Sequence, residues 1–146
     1  MTDNIRRVTM AWQGGLRFSG GAPAGPAIAI DADTTTAPGP MHVLLLAIGS
    51  CSGADVVLIL AKMRVALTDF SIEVEGVRRL DDPKRFTAVK LSYRLAGTGL
   101  DQAKARRAID LSIERYCSVI HSLNPDIPIT YDLEIGAGPA AAGASS

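Results

Sequence analysis

Residues 39–65, GPMHVLLLAIGSCSGADVVLILAKMRV, decide the fold of this chain. They contain the longest apolar run of the sequence, and Cys51, one of its two cysteines, stands in the middle between two Gly/Ser pairs. Apolar residues recur on nearly every side of the run, which predicts a long buried central helix. Gly49 and Ser50 weaken a helix, so we expect a break there and a second helix over residues 51–66, capped by Ser50.

An all-round apolar helix must be covered on all sides, and the sheets of one small domain cover a single flank. The sequence therefore predicts an obligate homodimer in which a second copy covers the other flank. A run of this length also raises the question of a membrane span. Because glycines, serines and Asp55 interrupt it, we interpret it as a helix buried by protein, with no membrane partner.

Length and composition favour one ordinary domain. The chain has 146 residues, of which 47% are hydrophobic and 21% charged, enough to build a packed core. With 15 basic and 15 acidic residues the formal net charge is zero, so no basic excess points to nucleic acid. We expect a domain over residues 1–135 and a disordered Ala/Gly-rich tail, GAGPAAAGASS, over residues 136–146.

The remaining segments predict an α+β fold. An N-terminal three-stranded sheet is expected first, then the central helix, then a two-stranded meander, late helices and a final strand. Alternating apolar and polar residues, turn signals and helical periodicity give the boundaries. The expected strands cover residues 5–12, 16–18, 27–32, 70–79, 86–95 and 127–135, and the late helices cover 101–116 and 118–123.

The two cysteines are the candidate functional residues. A thiol at a helix start is favoured as the thiolate, and small neighbours would give a substrate room to approach Cys51. Cys117 also lies at a predicted helix junction, so the two thiols could act as an attacking and a resolving cysteine. The alternative is that Cys51 is a buried small hydrophobe. Residues 1–12 lack the apolar core of a secretory signal, which favours a cytoplasmic protein with free thiols.

Two segments carry a family resemblance. MHVLLLAIGSCSGADVVLILAKMR, followed by RYCSVIHSLNPDIPI around the second cysteine, resembles the OsmC/Ohr family of organic hydroperoxide reductases, nearer to its OsmC-like branch. The predicted order of elements fits the same family over about residues 5 to 135. The resemblance implies an intertwined α+β homodimer with its long helices in the core and its sites at the subunit interface.

The resemblance also implies a chemistry. Cys51 would be the peroxidatic thiolate, which attacks an organic hydroperoxide and becomes a sulfenic acid. Cys117 would then condense with it to a disulfide, which a lipoyl-type dithiol would reduce. No metal or organic cofactor enters this chemistry.

The family uses an arginine and a glutamate near the peroxidatic thiolate. Arg17 is the best-placed arginine by this resemblance. The glutamate position, just after the proline that precedes the helix, holds Met41 and His42 instead. His42 could supply a cationic imidazole, but it cannot orient an arginine as a carboxylate does. Asp55 lies one turn beyond the first cysteine, and a buried carboxylate there would need a partner. It could bind Arg64 or a residue of the other subunit, or face a wet cleft, and we treat it as a supporting residue.

Two alternatives remain open from the sequence. Cys117 and His121 stand four residues apart and could form a zinc site with Cys51 and His42. The second alternative concerns function: instead of a thiol-dependent peroxidase, the chain could be a non-catalytic OsmC-like dimer that binds a small hydrophobic ligand in its interface cleft. The replacement at Met41 and His42 keeps this alternative open.

Overall fold

A computed structural model describes residues 4–136 of the chain. It confirms the predicted α+β order of elements, and the predicted tail lies outside the described residues apart from Gly136. The elements are β1 (Thr9–Trp12), β2 (Arg17–Gly21), β3 (Ala27–Asp31), α1 (Pro40–Lys62), β4 (Ala66–Arg78), β5 (Phe86–Thr98), α2 (Gln102–Leu111), a π-helical turn (Ser112–Tyr116), α3 (Ser118–His121) and β6 (Ile129–Ile135).

The described residues fall into two compact units that divide between Leu44 and Leu45. The single-domain assignment over residues 1–135 stays a prediction. In the first unit, β1, β2 and β3 form the predicted antiparallel three-stranded sheet, with β2 in the centre. Gly14 and Gly15 turn the chain between β1 and β2 at φ values of 94° and 57°, a region that favours glycine.

The loop after β3 is organised by the carboxylate of Asp31, a residue that is only 2% exposed. Its Oδ2 accepts hydrogen bonds from the Thr36 backbone N–H at 3.0 Å and the Thr36 hydroxyl at 2.8 Å, and from the Thr35 hydroxyl at 3.0 Å. Its Oδ1 accepts from the Asp33 N–H at 2.9 Å. These donors hold the pKa of Asp31 well below its usual range, and the hydrogen bond from the Thr36 backbone N–H has the largest effect. The Asp31 carboxylate thus binds the backbone and hydroxyl groups of the threonine-rich loop that follows β3.

The second unit contains a sheet in the order β4-β5-β6. β4 and β5 form the predicted antiparallel pair, and β6 joins the free side of β5 in parallel. A parallel neighbour needs a crossover connection, which α2, the π-helical turn and α3 supply. The predicted alternation is confirmed on β4, where Ile72 and Val74 lie on the more buried face and Glu73 and Glu75 are exposed.

The predicted break in the central helix is wrong, because α1 runs without interruption from Pro40 to Lys62. Gly49 and Gly53 are buried rather than placed at a helix end. A Cβ on Gly49 would meet Val74 Cγ2 at 2.9 Å, and one on Gly53 would meet Ile72 Cδ1 at 3.2 Å. The glycines therefore let α1 approach the sheet closely, and this packing outweighs their cost to the helix, about 1 kcal/mol each.

The C-terminus of α1 forms a Schellman motif. Arg64 takes a left-handed conformation with φ 62°, and its N–H donates to the Ala61 carbonyl at 3.0 Å. The N–H of Val65 donates to the Leu60 carbonyl at 3.0 Å. This pair of bonds satisfies the last carbonyls of the helix and ends it four residues before the predicted boundary.

One face of α1 is buried and another is exposed. Ile48, Val56 and Leu60 are fully buried, whereas Leu46 and Leu58 are 59% and 63% exposed. Among the described residues, α1 alone is long and apolar enough to cross a membrane by length and composition.

The predicted helix over residues 101–116 begins as expected but ends early. Asp101 caps α2 by accepting a hydrogen bond from the Lys104 N–H at 2.8 Å. After Leu111 the chain widens into the π-helical turn, which closes with the Cys117 N–H donating to the Ser112 carbonyl at 2.8 Å. Helical periodicity continues across this point, so the sequence gives no sign of the change.

Candidate active site

Cys51 lies in the middle of α1 and is partly exposed. The expectation that it begins a helix is therefore wrong, and it gains nothing from an N-terminal helix dipole, which acts only within the first turn. Its small neighbours also differ from expectation: Gly49, Ser52 and Gly53 are buried against the rest of the unit. Of the four Gly and Ser residues around the thiol, only Ser50 is exposed.

Cys117 lies between the π-helical turn and α3, so the predicted helix junction is confirmed. Its side chain is 0% exposed and its backbone is extended, with φ −71° and ψ 101°. The sulfur accepts a hydrogen bond from the Ile120 N–H at 3.4 Å, which makes Cys117 the N-cap of α3.

The structure brings the two thiols close together, and neither is in a disulfide. Burial raises the pKa of Cys117 to about 11, from an ordinary 9.0. The hydrogen bond from the Ile120 N–H to the sulfur acts in the opposite direction and lowers this pKa. The side chain of Cys51 adds to this rise, which requires the two side chains to be near neighbours. The pair thus consists of one partly exposed thiol and one buried thiol that keeps its proton at neutral pH.

Beside the pair runs a chain of buried hydroxyl groups that the sequence analysis did not identify. Ser52 Oγ lies 2.6 Å from the Tyr93 hydroxyl and 2.9 Å from Ser112 Oγ. Ser112 Oγ also lies 3.0 Å from Asp55 Oδ2. Ser52 and Ser112 are 0% exposed and Tyr93 is 1% exposed. Asp55 therefore has a polar partner, as predicted, but this partner is Ser112, which was not among the expected ones.

The protons of this chain have a defined direction. A hydroxyl donates one proton, and an ionised carboxylate can only accept. Ser112 donates its one proton to Asp55 Oδ2, so it accepts from Ser52, which in turn accepts from Tyr93. Burial, opposed by the hydrogen bond with Ser52, raises the pKa of Tyr93 to about 12, so its hydroxyl remains a donor. The chain links α1, β5 and the start of the π-helical turn.

A sequence signal for this chain existed but was weak. Ser112 falls on the otherwise apolar inner side of the predicted helix over residues 101–116, and Tyr93 falls on the apolar side of β5. A buried serine opposite a buried tyrosine suggests mutual satisfaction. The pairing itself joins residues 41 and 60 positions apart, which periodicity cannot connect.

Arg17 and His42 belong to the first unit. Arg17 opens β2, and its Nη2 donates to the Gln13 carbonyl at 3.0 Å across the hairpin turn. His42 is exposed in the first turn of α1, where no acidic residue stands. The assignment of either residue to the thiol pair stays a prediction.

The zinc alternative finds no ligand set in the described part of the chain. No group of three or more His, Cys, Asp and Glu side chains within residues 4–136 could hold a metal ion. His121 has another role, because its Nε2 lies 3.1 Å from the Ile113 carbonyl. A carbonyl can only accept, so the ring nitrogen donates its proton there and ties α3 to the π-helical turn.

The chain is thus a small α+β protein with a dithiol site, in which a partly exposed thiol lies near a buried one. The family model described as OsmC-like protein matches residues 32–132. The chain is 39% identical over 125 residues to protein YhfA of Escherichia coli K12, covering 85% of this chain and 93% of that protein. This chain belongs to the OsmC family, as the resemblance indicated.

Solved structures agree on the fold. A protein from Aquifex aeolicus VF5 is 28% identical, with a TM-score of 0.78 over 92% of this chain and 99% of that chain. An organic hydroperoxide resistance protein OsmC from Legionella pneumophila is 14% identical, with a TM-score of 0.64 over 90% and 98%. The OsmC family is soluble, which favours a core helix over a membrane span for α1.

Proposed function

We propose that this protein is a thiol-dependent peroxidase that reduces organic hydroperoxides. The observation that carries the proposal is the unequal thiol pair: Cys51 is partly exposed, and Cys117 is buried beside it. A peroxidase of this type needs one thiol that a substrate can reach and a second thiol that waits for the first to be oxidised. The OsmC family, which includes peroxide-resistance proteins, supports the same assignment.

Cys51 is the attacking residue in this proposal. Its thiolate attacks the terminal oxygen of the hydroperoxide, the O–O bond breaks, and the alkoxide leaves with a proton as an alcohol. The sulfur becomes a sulfenic acid. Arg17 is the proposed activating cation, as the family resemblance implies, and His42 and Asp55 are proposed supporting groups.

Cys117 is the resolving residue. It loses its proton and attacks the Cys51 sulfur, which forms the disulfide and releases the sulfenic oxygen as water. An external dithiol of the lipoyl type then reduces the disulfide by exchange and is itself oxidised. A cytoplasmic location fits this cycle, because thiols are kept reduced there.

A homodimer is part of the proposal, and two apolar surfaces support it. The first is a stripe on α1 formed by small and aliphatic residues at helical spacing. Its members are Leu46, Ser50, Ala54, Val57, Leu58 and Ala61, all exposed. A helix face of this composition is stable in water only when another surface covers it, and a second copy would do so.

The second surface is one face of the N-terminal sheet. Trp12 pairs with Phe18, and Met10 and Ile28 flank the same Gly20, so all four side chains lie on one side. Trp12 is 68% exposed and Ile28 is 57% exposed. Sheets of this kind bury one face, and this apolar face needs a cover that a second copy could supply.

A second candidate function is a non-catalytic OsmC-like dimer that binds a small hydrophobic ligand. The absence of an acidic residue in the first turn of α1, at the position of the family glutamate, favours it. In this case the thiols would pack against a ligand and would not pass through a catalytic cycle of oxidation and reduction.

Rapid mixing tests the proposal. Fully reduced protein is mixed with one equivalent of an alkyl hydroperoxide, quenched with acid at successive times and examined by mass spectrometry. We expect loss of the peroxide, appearance of the alcohol and a Cys51–Cys117 disulfide. The Cys51→Ser variant should consume no peroxide beyond the uncatalysed rate.

If the wild-type protein leaves the peroxide intact and both thiols stay reduced, the peroxidase proposal is wrong. Release of an apolar small molecule from the purified protein on denaturation would then support the second candidate.

A further inference from the structure

Ser112 touches the surroundings of both cysteines at once. Through its side chain it contacts α1 at two points in the turn that follows the exposed thiol: Ser52 Oγ at 2.9 Å and Asp55 Oδ2 at 3.0 Å. Through its backbone it holds the residue that carries the buried thiol, because the Ser112 carbonyl accepts a hydrogen bond from the Cys117 N–H at 2.8 Å. Ser52 and Asp55 stand one and four residues beyond Cys51 on the same helix.

The backbone contact has an unusual span. The Cys117 N–H reaches back five residues to Ser112, rather than the four of an α-helix, and this bond closes the π-helical turn. π-Helical turns are frequent at functional sites. Here the wider turn brings Cys117, which is already extended, to the start of α3.

The Ser112 hydroxyl is buried and satisfied, and of its two contacts the one with Ser52 is buried and the one with Asp55 is part-buried. Ser112 is 0% exposed, and its hydroxyl lies within hydrogen-bond distance of two partners on α1. Inside a protein such bonds are stronger than in water and fix their partners in place. Any shift of Ser112 would therefore move the Cys117 backbone relative to the helix that carries Cys51.

We propose that Ser112 is a positioning residue that sets the approach of Cys51 and Cys117 and so determines how readily they close into a disulfide. The use of that disulfide in turnover rests on the proposed peroxidase function. The positioning itself concerns only the two thiols and can be measured without a peroxide.

The test is a thiol–disulfide equilibrium. The full-length protein is equilibrated with mixtures of reduced and oxidised dithiothreitol, quenched with acid, alkylated, and analysed by mass spectrometry for the oxidised fraction. In the reaction the two protein thiols pass two electrons and two protons to oxidised dithiothreitol, which becomes the dithiol. A substitution that destabilises the oxidised and reduced proteins equally leaves this equilibrium constant unchanged, so the readout reports positioning.

We expect Ser112→Ala to lower the equilibrium constant for disulfide formation about tenfold, equal to about 30 mV for this two-electron couple. Asp55→Ala removes one of the two side-chain contacts and should lower it by a smaller factor, about threefold. The matched control is Ser118→Ala, because Ser118 is exposed and stands next to Cys117. It should leave the equilibrium constant unchanged.

The inference is wrong if Ser112→Ala shifts the equilibrium no more than Ser118→Ala does, or if the wild-type thiols form no disulfide in any mixture. If Ser112→Ala does not fold by circular dichroism, Asp55→Ala decides by the same criterion. If Ser112→Ala lowers the equilibrium constant for disulfide formation as expected but the wild-type protein consumes no peroxide, the proposed function is refuted and the role of Ser112 stands.

Discussion

Cys51 and Cys117 stand on two different kinds of backbone. Cys51 belongs to a continuous 23-residue helix whose glycines pack tightly against a sheet, and its thiol is partly exposed. Cys117 stands where a π-helical turn ends and a four-residue helix begins, and its thiol is buried. One thiol is accessible and fixed by regular structure, whereas the other is inaccessible and placed by irregular structure.

Backbone context alone thus gives two identical side chains different access to solvent and different acidity. The accessible thiol on the regular helix suits attack on an incoming substrate. The buried thiol keeps its proton at neutral pH, because burial raises its pKa to about 11, and this suits the proposed resolving role. Four measurements test the contrast between the two thiols.

The largest expected effect is the pH dependence of disulfide closure. Below a pKa of about 11 the thiolate fraction of Cys117 grows about tenfold per pH unit, and only the thiolate attacks. After Cys51 is oxidised, the rate of closure should therefore rise about a hundredfold from about pH 7 to about pH 9. Stopped-flow mixing with a hydroperoxide followed by acid quench measures this rate. A flat profile over that range would show that Cys117 is not held protonated.

The next effect concerns the hydroxyl chain beside Cys51. Tyr93→Phe removes the donor to the buried Ser52 hydroxyl and should lower the free energy of unfolding by about 1–2 kcal/mol. Urea denaturation measures it. Tyr116→Phe is the matched control, since Tyr116 is 51% exposed, and its effect should stay within about 0.5 kcal/mol. Equal effects of the two substitutions would contradict the network.

The smallest effect concerns the end of the helix that carries Cys51. Arg64 occupies a left-handed position with φ 62°, where glycine carries no steric cost. Arg64→Gly should raise the free energy of unfolding by about 0.5–1 kcal/mol. The same urea denaturation detects this gain. A loss of stability would mean that the arginine side chain contributes more than its backbone conformation costs.

Most of the fold was predictable from local patterns. Alternation gave the strands of both sheets, and the apolar run gave α1, because side-chain periodicity reports directly on burial. The parallel pairing of β6 with β5 was not predictable, since it depends on a crossover of about thirty residues. The break expected at Gly49 was wrong for a related reason: helix propensity is local, and the contact of Gly49 with Val74 is not.

The candidate site was predictable in part. The two cysteines and the need of Asp55 for a partner followed from residue type and spacing. The partner, Ser112, did not follow, because the bond joins residues 57 positions apart. The widening of the helix after Leu111 was also invisible, because one added residue in a hydrogen-bonded turn leaves the apolar pattern nearly unchanged.

The most direct test of unequal roles is to trap the first oxidised thiol. The Cys117→Ser variant is treated with one equivalent of an alkyl hydroperoxide in the presence of dimedone, which labels sulfenic acids, and the labelled peptide is identified by mass spectrometry. We expect the label on Cys51 in the Cys117→Ser variant and no label in Cys51→Ser. A label on Cys117 in the Cys51→Ser variant, formed as fast as that on Cys51, would contradict the assignment of attacking and resolving thiols.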